Sequence, residues 1–262
     1  MQSLRVLRAS VVNVGLWFVV LLIPNLAEAG GFVAVPAARL CVPGEEHTYD
    51  VLWGVIPLGV LRARCDEKVV VNGNPAFHIS VYADSHPWLL FLSLHELFES
   101  WIDASEVFCR KEIAHIDIGS DKSTETYTFD CGRKKLHYDL RPVGKPMEEG
   151  DVDMTCPSQD LVSFAYVARA LSFTPGVWEA SLSTLVHAEM KETVLRSAGI
   201  RQTVKVAGGD RPAVLVTGDA RYKTPEGFTG RFRIWLSDDD LRIPLRGQLK
   251  IVLGWITIEY VR

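Results

Sequence analysis

The stretch Arg231–Tyr260, RFRIWLSDDDLRIPLRGQLKIVLGWITIEY, decides the fold. Phe232, Ile234 and Leu236 alternate with polar neighbours, the triplet Asp238-Asp239-Asp240 breaks the pattern, and alternation resumes from Ile243. A period of two on both sides of a polar break marks antiparallel strands joined by a tight turn. Trp235 and Trp255 are expected to point inward, because a large indole favours a sheet core. Alternation nevertheless sets Trp235 on the face of Arg231 and Arg233, a conflict that only coordinates resolve.

Working outward, the same short-strand grammar recurs. Glu46–Trp53 reads as an opening strand, Gly54–Gly59 as a turn, and Leu61–Val71 as a second strand. Asn72-Gly73 supplies the positive φ of a tight hairpin, and Phe77, Ile79 and Val81 mark one face of a third strand. Ser85–Phe98 is the most apolar part of the chain beyond its N-terminus and leads into a strand from about His95; Cys109 and the run Tyr127–Cys131 lie on later strands. Arg141–Thr155 shows no periodicity and reads as a crossover. Beyond Pro175-Gly176, strands are expected near 180–190, 192–196, 203–207 and 214–217.

One helix stands out. Leu161, Phe164, Ala165, Ala168 and Leu171 recur at three and four residues, with Ser158 as the expected cap and Asp160 suited to the positive end. Many short strands and one helix read as mainly β: a strongly curved antiparallel sheet, half-barrel or open barrel, with the helix covering its open face through Leu161, Phe164, Ala168 and Leu171.

The N-terminus reads as an export signal over residues 1–29. Arg5 and Arg8 precede the apolar run Val11–Ile23, and Ala27-Glu28-Ala29 offers a cleavage site before Gly30. The alternative is an uncleaved inner-membrane anchor. A loose lead, 30–43, is expected ahead of a single β-rich domain, 44–262. Without residues 1–29 the chain keeps 26 basic against 31 acidic side chains, a formal charge of −5. That balance speaks against a nucleic-acid partner.

All five cysteines follow the signal, and an oxidising compartment favours disulfides. An odd count leaves at least one thiol free, and two bridges with one free thiol can be arranged in fifteen ways. Cys109 and Cys131, on neighbouring strands, are candidates for one bridge, set against the alternative of two separately buried thiols. No C-x-x-C or cysteine–histidine cluster offers a zinc site. The seven histidines are scattered singly, and Ser158-Gln159-Asp160 lacks the glycine-flanked elbow of a hydrolase nucleophile. No catalytic residue, cofactor or metal is therefore expected. Asp238–Asp240 reads as a turn held by carboxylate bonds, with Arg242 or Arg246 as partner, rather than a calcium loop.

The run W-L-S-D-D-D-x-R-I-P-L-R at Trp235–Arg246, followed by K-I-x-x-G at Lys250–Gly254, resembles the C-terminal signature of the bacterial domain of unknown function 3108 (DUF3108) family. Gly44, Glu45, Trp53 and Gly59 agree with it, as does Q-D-L-x-S-x-x-Y-x-x-R at Gln159–Arg169. The resemblance covers Gly44–Val261 and implies an exported, β-rich envelope protein with no assigned activity. The architecture looks like the half-barrel of outer-membrane lipoprotein carriers, an analogy of fold alone.

The excess of large apolar side chains reads either as ordinary core packing or, more sharply, as an open pocket whose candidate lining is Trp53, Trp88, Phe91, Phe98, Trp101, Phe164, Leu171, Trp235 and Trp255. The chain is accordingly expected to be a non-enzymatic periplasmic protein that binds or carries a lipid or other apolar envelope component, with peripheral membrane contact. The alternative is an envelope scaffold or protein-interaction module with no small ligand.

Overall fold

The computed structural model describes residues 35–90, 93–223 and 227–262. The segment 1–29 expected to direct export, and Phe91, lie outside the described residues. After a short helix α1 (Ala37–Leu40) come β1 (Glu46–Trp53), β2 (Ile56–Val71), β3 (Asn74–Ser85), β4 (Leu94–Asp103), β5 (Cys109–Ile118), β6 (Asp121–Asp130), β7 (Lys135–Pro142), β8 (Glu148–Asp153) and β9 (Ser158–Gln159). Helix α2 (Leu161–Leu171) leads to β10 (Val177–Val186), β11 (Glu189–Val206), β12 (Gly209–Ala220), β13 (Phe228–Ser237), β14 (Pro244–Ile251) and β15 (Gly254–Tyr260).

These strands form one fifteen-stranded sheet in the order β8-β7-β6-β5-β4-β3-β2-β1-β15-β14-β13-β12-β11-β10-β9. The sheet is open: β8 and β9 are its two edges. Yet they follow one another in the chain, joined by the four residues 154–157, which reach at most about 18 Å. The sheet must therefore curl until its edges face each other. All neighbours are antiparallel except β9 and β10, which pair only at Ser183↔Ser158 and Thr184↔Gln159. The β2–β3 turn follows the expected hairpin, with φ 50° at Asn72 and 79° at Gly73.

Several expectations are corrected. Arg141–Thr155 is not a bare crossover; it holds the end of β7 and all of β8, an acidic edge strand (EEGDVD) whose polarity hides its alternation. The lead is not loose throughout, because Val35, Ala37, Leu40 and Cys41 are buried in the core. Helix α2 is capped by Asp160 rather than Ser158: the Ser163 amide donates to Asp160 Oδ1 (2.5 Å) while Ser163 Oγ accepts from the Asp160 amide (3.0 Å). Ser158 Oγ instead donates to the Thr155 carbonyl.

The helix buries more than one stripe. Val162, Tyr166 and Val167 pack with Cys65, Phe77, Ile79 and Ile102 of the β2–β4 arm, while Phe164 and Ala168 pack with Trp178, Leu195, Val216, Phe232 and Leu236 of the β10–β13 arm. Leu171 touches both groups. Leu161, expected to face inward, is 64% exposed at the first helical position. Helix α2 is thus wedged between the two arms of the sheet. Gly218 tightens one arm: a Cβ there would stand 1.9 Å from the Phe232 ring, so the ring occupies the space a side chain would need.

The disulfides are Cys41–Cys65 and Cys131–Cys156, with Cα–Cα distances of 5.9 and 5.6 Å, and Cys109 is the free thiol. This corrects the proposed Cys109–Cys131 bridge. Pairing of β4 with β5 is irregular, Ile102 standing opposite Cys109 but Trp101 opposite Lys111, and the Cys109 thiol points to Asp160 in the interior. Cys131 lies past the end of β6, bonded to the β8–β9 link. Each bridge closes a loop of about 25 residues, so replacing Cys131 and Cys156 by serine should lower the unfolding free energy by ~3 kcal/mol in urea denaturation. Thiol titration should find one reactive cysteine in the unfolded oxidised chain; three or five would contradict this pairing.

Candidate functional site

The three motif segments meet at the C-terminal half of α2. Arg169 is buried and donates from Nε (3.2 Å) and Nη2 (2.8 Å) to the Leu241 carbonyl, with its guanidinium 4.9 Å from the Tyr166 ring centre. Glu45 lies 3.0 Å from His47 Nε2. That bond, with the nearby charges of His47 and Arg169, holds its carboxyl below the ordinary value despite burial. Burial pushes the Tyr49 and Tyr166 hydroxyls up. Arg169 thus bonds the helix to the turn before β14, and its charge acts on Glu45.

The acidic triplet is occupied by partners in its own turn and by two arginines from elsewhere in the chain. Asp238 accepts from Arg242 Nη1 (2.7 Å) and Arg201 Nε (2.6 Å), which hold its carboxyl low. Asp239 Oδ1 accepts from the amides of Leu241 (3.0 Å) and Arg242 (3.1 Å) and from Ser237 Oγ (2.7 Å). Asp240 reaches Arg39 at 3.1 Å. The turn reading and the Arg242 partner hold; among the described residues no group of three histidines, cysteines or carboxylates is arranged to hold a metal ion.

A second polar group surrounds the N-terminus of α2. Asp160 is fully buried, with the Cys109 thiol 3.2 Å from its Oδ2, and Ser100 Oγ lies 3.9 Å from that thiol. Burial raises the Asp160 carboxyl against the bonds it accepts from Ser100 and Ser163. Burial, Asp160 and Glu112 push the Cys109 thiol well up, which makes it a poor nucleophile. Burial likewise pushes Glu112 well above the usual carboxylate range, aided by Asp160 and Glu125. Glu125 accepts from the Tyr127 hydroxyl at 2.6 Å.

The expected pocket residues do not converge. Phe98, Phe164 and Leu171 line the interior around α2. Trp101 lies on the face of its cross-strand partner His78, stacked at 4.5 Å and covered by Lys111 at 4.8 Å. Trp255 is not inward either, being flanked by Arg233 (4.9 Å) and Lys250 (5.3 Å). Trp235 faces away from Phe164, since alternation opposes it to Phe232, Ile234 and Leu236. It is still buried under Val204, Val206, Ala213 and Leu245, with Nε1 donating to Gln202 Oε1 at 2.6 Å. Trp88 is 55% exposed, and Trp53 donates from Nε1 to the Leu253 carbonyl at 2.9 Å.

Glu45 and Arg169 stand out in the sequence only as motif residues without a role, and the inner carboxyls Glu96, Glu112 and Glu125 do not stand out at all. The signal that could have found them is acidic residues placed in register with the apolar face of β4–β6. A cleft of about 480 Å³ runs along the seam between the sheet edges, lined by Asp153, Met154, Thr155, Ser181, Leu182, Ser183 and Met190–Glu192.

A crystal structure described as a beta-barrel-like protein of domain of unknown function DUF1849 from Brucella abortus superposes with a TM-score of 0.55 over 85% of this chain and 98% of that one, at 10% identity. At that identity the likeness concerns the fold alone. No curated protein matches the chain. The family model of proteins of unknown function, DUF3108, matches residues 48–261, which include most of the arginine-centred junction and the acidic interior; the chain belongs to that family.

Proposed function

We propose that this protein is an exported, non-enzymatic interaction module of the cell envelope. The observation that carries the reading is an open sheet edge beside a filled interior. On β10, Val177–Leu182 have no strand neighbour on the open side among the described residues, and the seam cleft runs along part of that edge. An exposed edge offers backbone donors and acceptors to an extended segment of another protein, which can add a strand. The interior, in contrast, is taken by α2, so retaining an acyl chain there would require the helix to leave two packed surfaces. Two disulfides fit an oxidising compartment, and no described helix is long and apolar enough to cross a membrane.

The test places a photoreactive side chain at Ser181 in the seam and, as control, at the exposed Glu67 in the producing cell. The expected result is a protein adduct of discrete mass from Ser181 and none from Glu67. Equal labelling from both positions, or stoichiometric lipid in the native mass spectrum of the gently purified chain, would replace this reading with the carrier.

A further inference from the structure

We infer that one end of the sheet docks on a lipid bilayer with anionic headgroups, through apolar side chains carried on the tips of neighbouring hairpins. The inference goes beyond the interaction reading and is independent of it, since the seam follows a strand edge and this surface is made of turns.

In an antiparallel sheet of consecutive hairpins, every second turn lies at the same end. The β1–β2, β3–β4, β5–β6, β7–β8 and β14–β15 turns share the end at which Trp53 pairs with Ile256, Gly59 with Ser85, Leu94 with Ile118 and Ser123 with Pro142. Seven large apolar side chains among the described residues are 70% exposed or more, and five of them, Val55, Leu90, Val143, Val252 and Leu253, stand in these turns. Trp88 adds an exposed indole beside Leu90. Exposed apolar residues scattered singly are ordinary, whereas a set gathered on the turns of one end marks a contact surface. The turns are also fixed to their neighbours. The amides of Val252, His86, Gly119 and Val143 donate to the carbonyls of Gly227, Leu58, Ser93 and Lys122 at 2.8–3.0 Å. Trp53 Nε1 bonds the β14–β15 turn at the Leu253 carbonyl.

The spread and the charge select the occupant. From β14 to β8 the turns span ten adjacent strands, about 40 Å along the curled sheet. A protein partner fits one contiguous, complementary patch, while a bilayer accepts separate apolar tips without matching their shape. Segments 54–55, 86–90 and 252–253 hold no acidic residue, and Lys122, Lys145 and Lys250 stand near the tips against Asp121 and Glu148. The opposite end gathers Glu45, Asp103, Glu106 and Asp238–Asp240 against Arg133, Lys134 and Arg242. A chain of net negative charge thus presents its apolar tips at its less acidic end, where lysines gain from anionic headgroups. Trp53, Trp88 and Trp255, three of the seven tryptophans, lie in or just behind the same turns. Indoles favour the boundary between headgroups and acyl chains.

The experiment sediments the protein, exported and purified from the producing cell, with vesicles of phosphatidylcholine plus phosphatidylglycerol and with vesicles of phosphatidylcholine alone. Tighter binding to the mixed vesicles is expected. Affinity should weaken about tenfold or more in Leu90→Asp/Val252→Asp. It should stay unchanged in Val70→Asp, because Val70 is exposed at the opposite end, near the Asn72-Gly73 turn. A polarity-sensitive fluorescent side chain at Leu90 should shift to the blue when mixed vesicles are added, and one at Val70 should not. Should the double variant fail to fold by circular dichroism, this fluorescent pair carries the test. No sedimentation, a folded tip variant that binds like the parent, equal binding to phosphatidylcholine alone, or equal shifts at both positions would overturn the inference. A photoreactive side chain at Leu90 that captured a protein of discrete mass and no lipid would assign this end to a protein partner and overturn it as well. None of these outcomes alters the Ser181 adduct that tests the seam.

Discussion

Phe164→Asp is expected to leave the chain largely unfolded. The Phe164 ring meets Phe232 edge-on at 5.5 Å and 75°, and Phe232 in turn fills the space above Gly218. Removing a buried aromatic ring costs ~3–5 kcal/mol, and a carboxylate without a partner adds a further desolvation cost. The total approaches the ~5–15 kcal/mol that holds a whole domain together. Far-ultraviolet circular dichroism and urea denaturation check this. A variant that keeps its sheet signal and melts with the parent would mean that α2 is a detachable cover, as a lid over an apolar pocket requires.

Trp235→Ala should cost ~3–5 kcal/mol even though the side chain lies on the face opposite α2. The β11–β12 hairpin supplies the burial: Val204, Val206 and Ala213 pack on the indole with Leu245, and Gln202 accepts its N–H. Trp235→Phe keeps most of the packing and loses that bond, so a deficit of ~1 kcal/mol is expected. Urea midpoints for the two variants distinguish packing from hydrogen bonding. A loss below ~1 kcal/mol for the alanine variant would place Trp235 on the surface.

Trp235 also shows where sequence reading succeeds and where it stops. Alternation in RFRIWLS correctly set Trp235 beside Arg231 and Arg233, and hydrophobicity correctly called for burial. The two clash only if a sheet has one buried face. A hairpin that packs over the other face satisfies both, and its path depends on the β11 irregularity between Ser197 and Arg201, which no short-range pattern encodes. Strands with clear alternation, such as Glu46–Trp53 and the run around Phe232, Ile234 and Leu236, were legible. β8 was not, because an exposed acidic edge strand carries no apolar period.

The helix was legible in place but not in role. Leu161, Phe164, Ala168 and Leu171 define one stripe, whereas Val162, Tyr166 and Val167 define a second that periodicity counting discards. Only the curl of the sheet makes both surfaces core. The cysteine pairs were hidden for a similar reason: Cys131 meets Cys156 because β8 and β9 bring the two sheet edges together across four residues. The motif residues Glu45, Tyr166 and Arg169 were visible as a pattern, but the bond from Arg169 to the Leu241 carbonyl joins segments far apart in sequence.

Native-state hydrogen exchange at the α2 amides Phe164–Ser172 tests most directly the claim that the interior is permanently filled. A wedged helix should open only with global unfolding, so these amides should share the protection and the urea dependence of β3 and β12. Exchange of the α2 amides through a local opening, markedly faster than the sheet and insensitive to urea, would contradict the account.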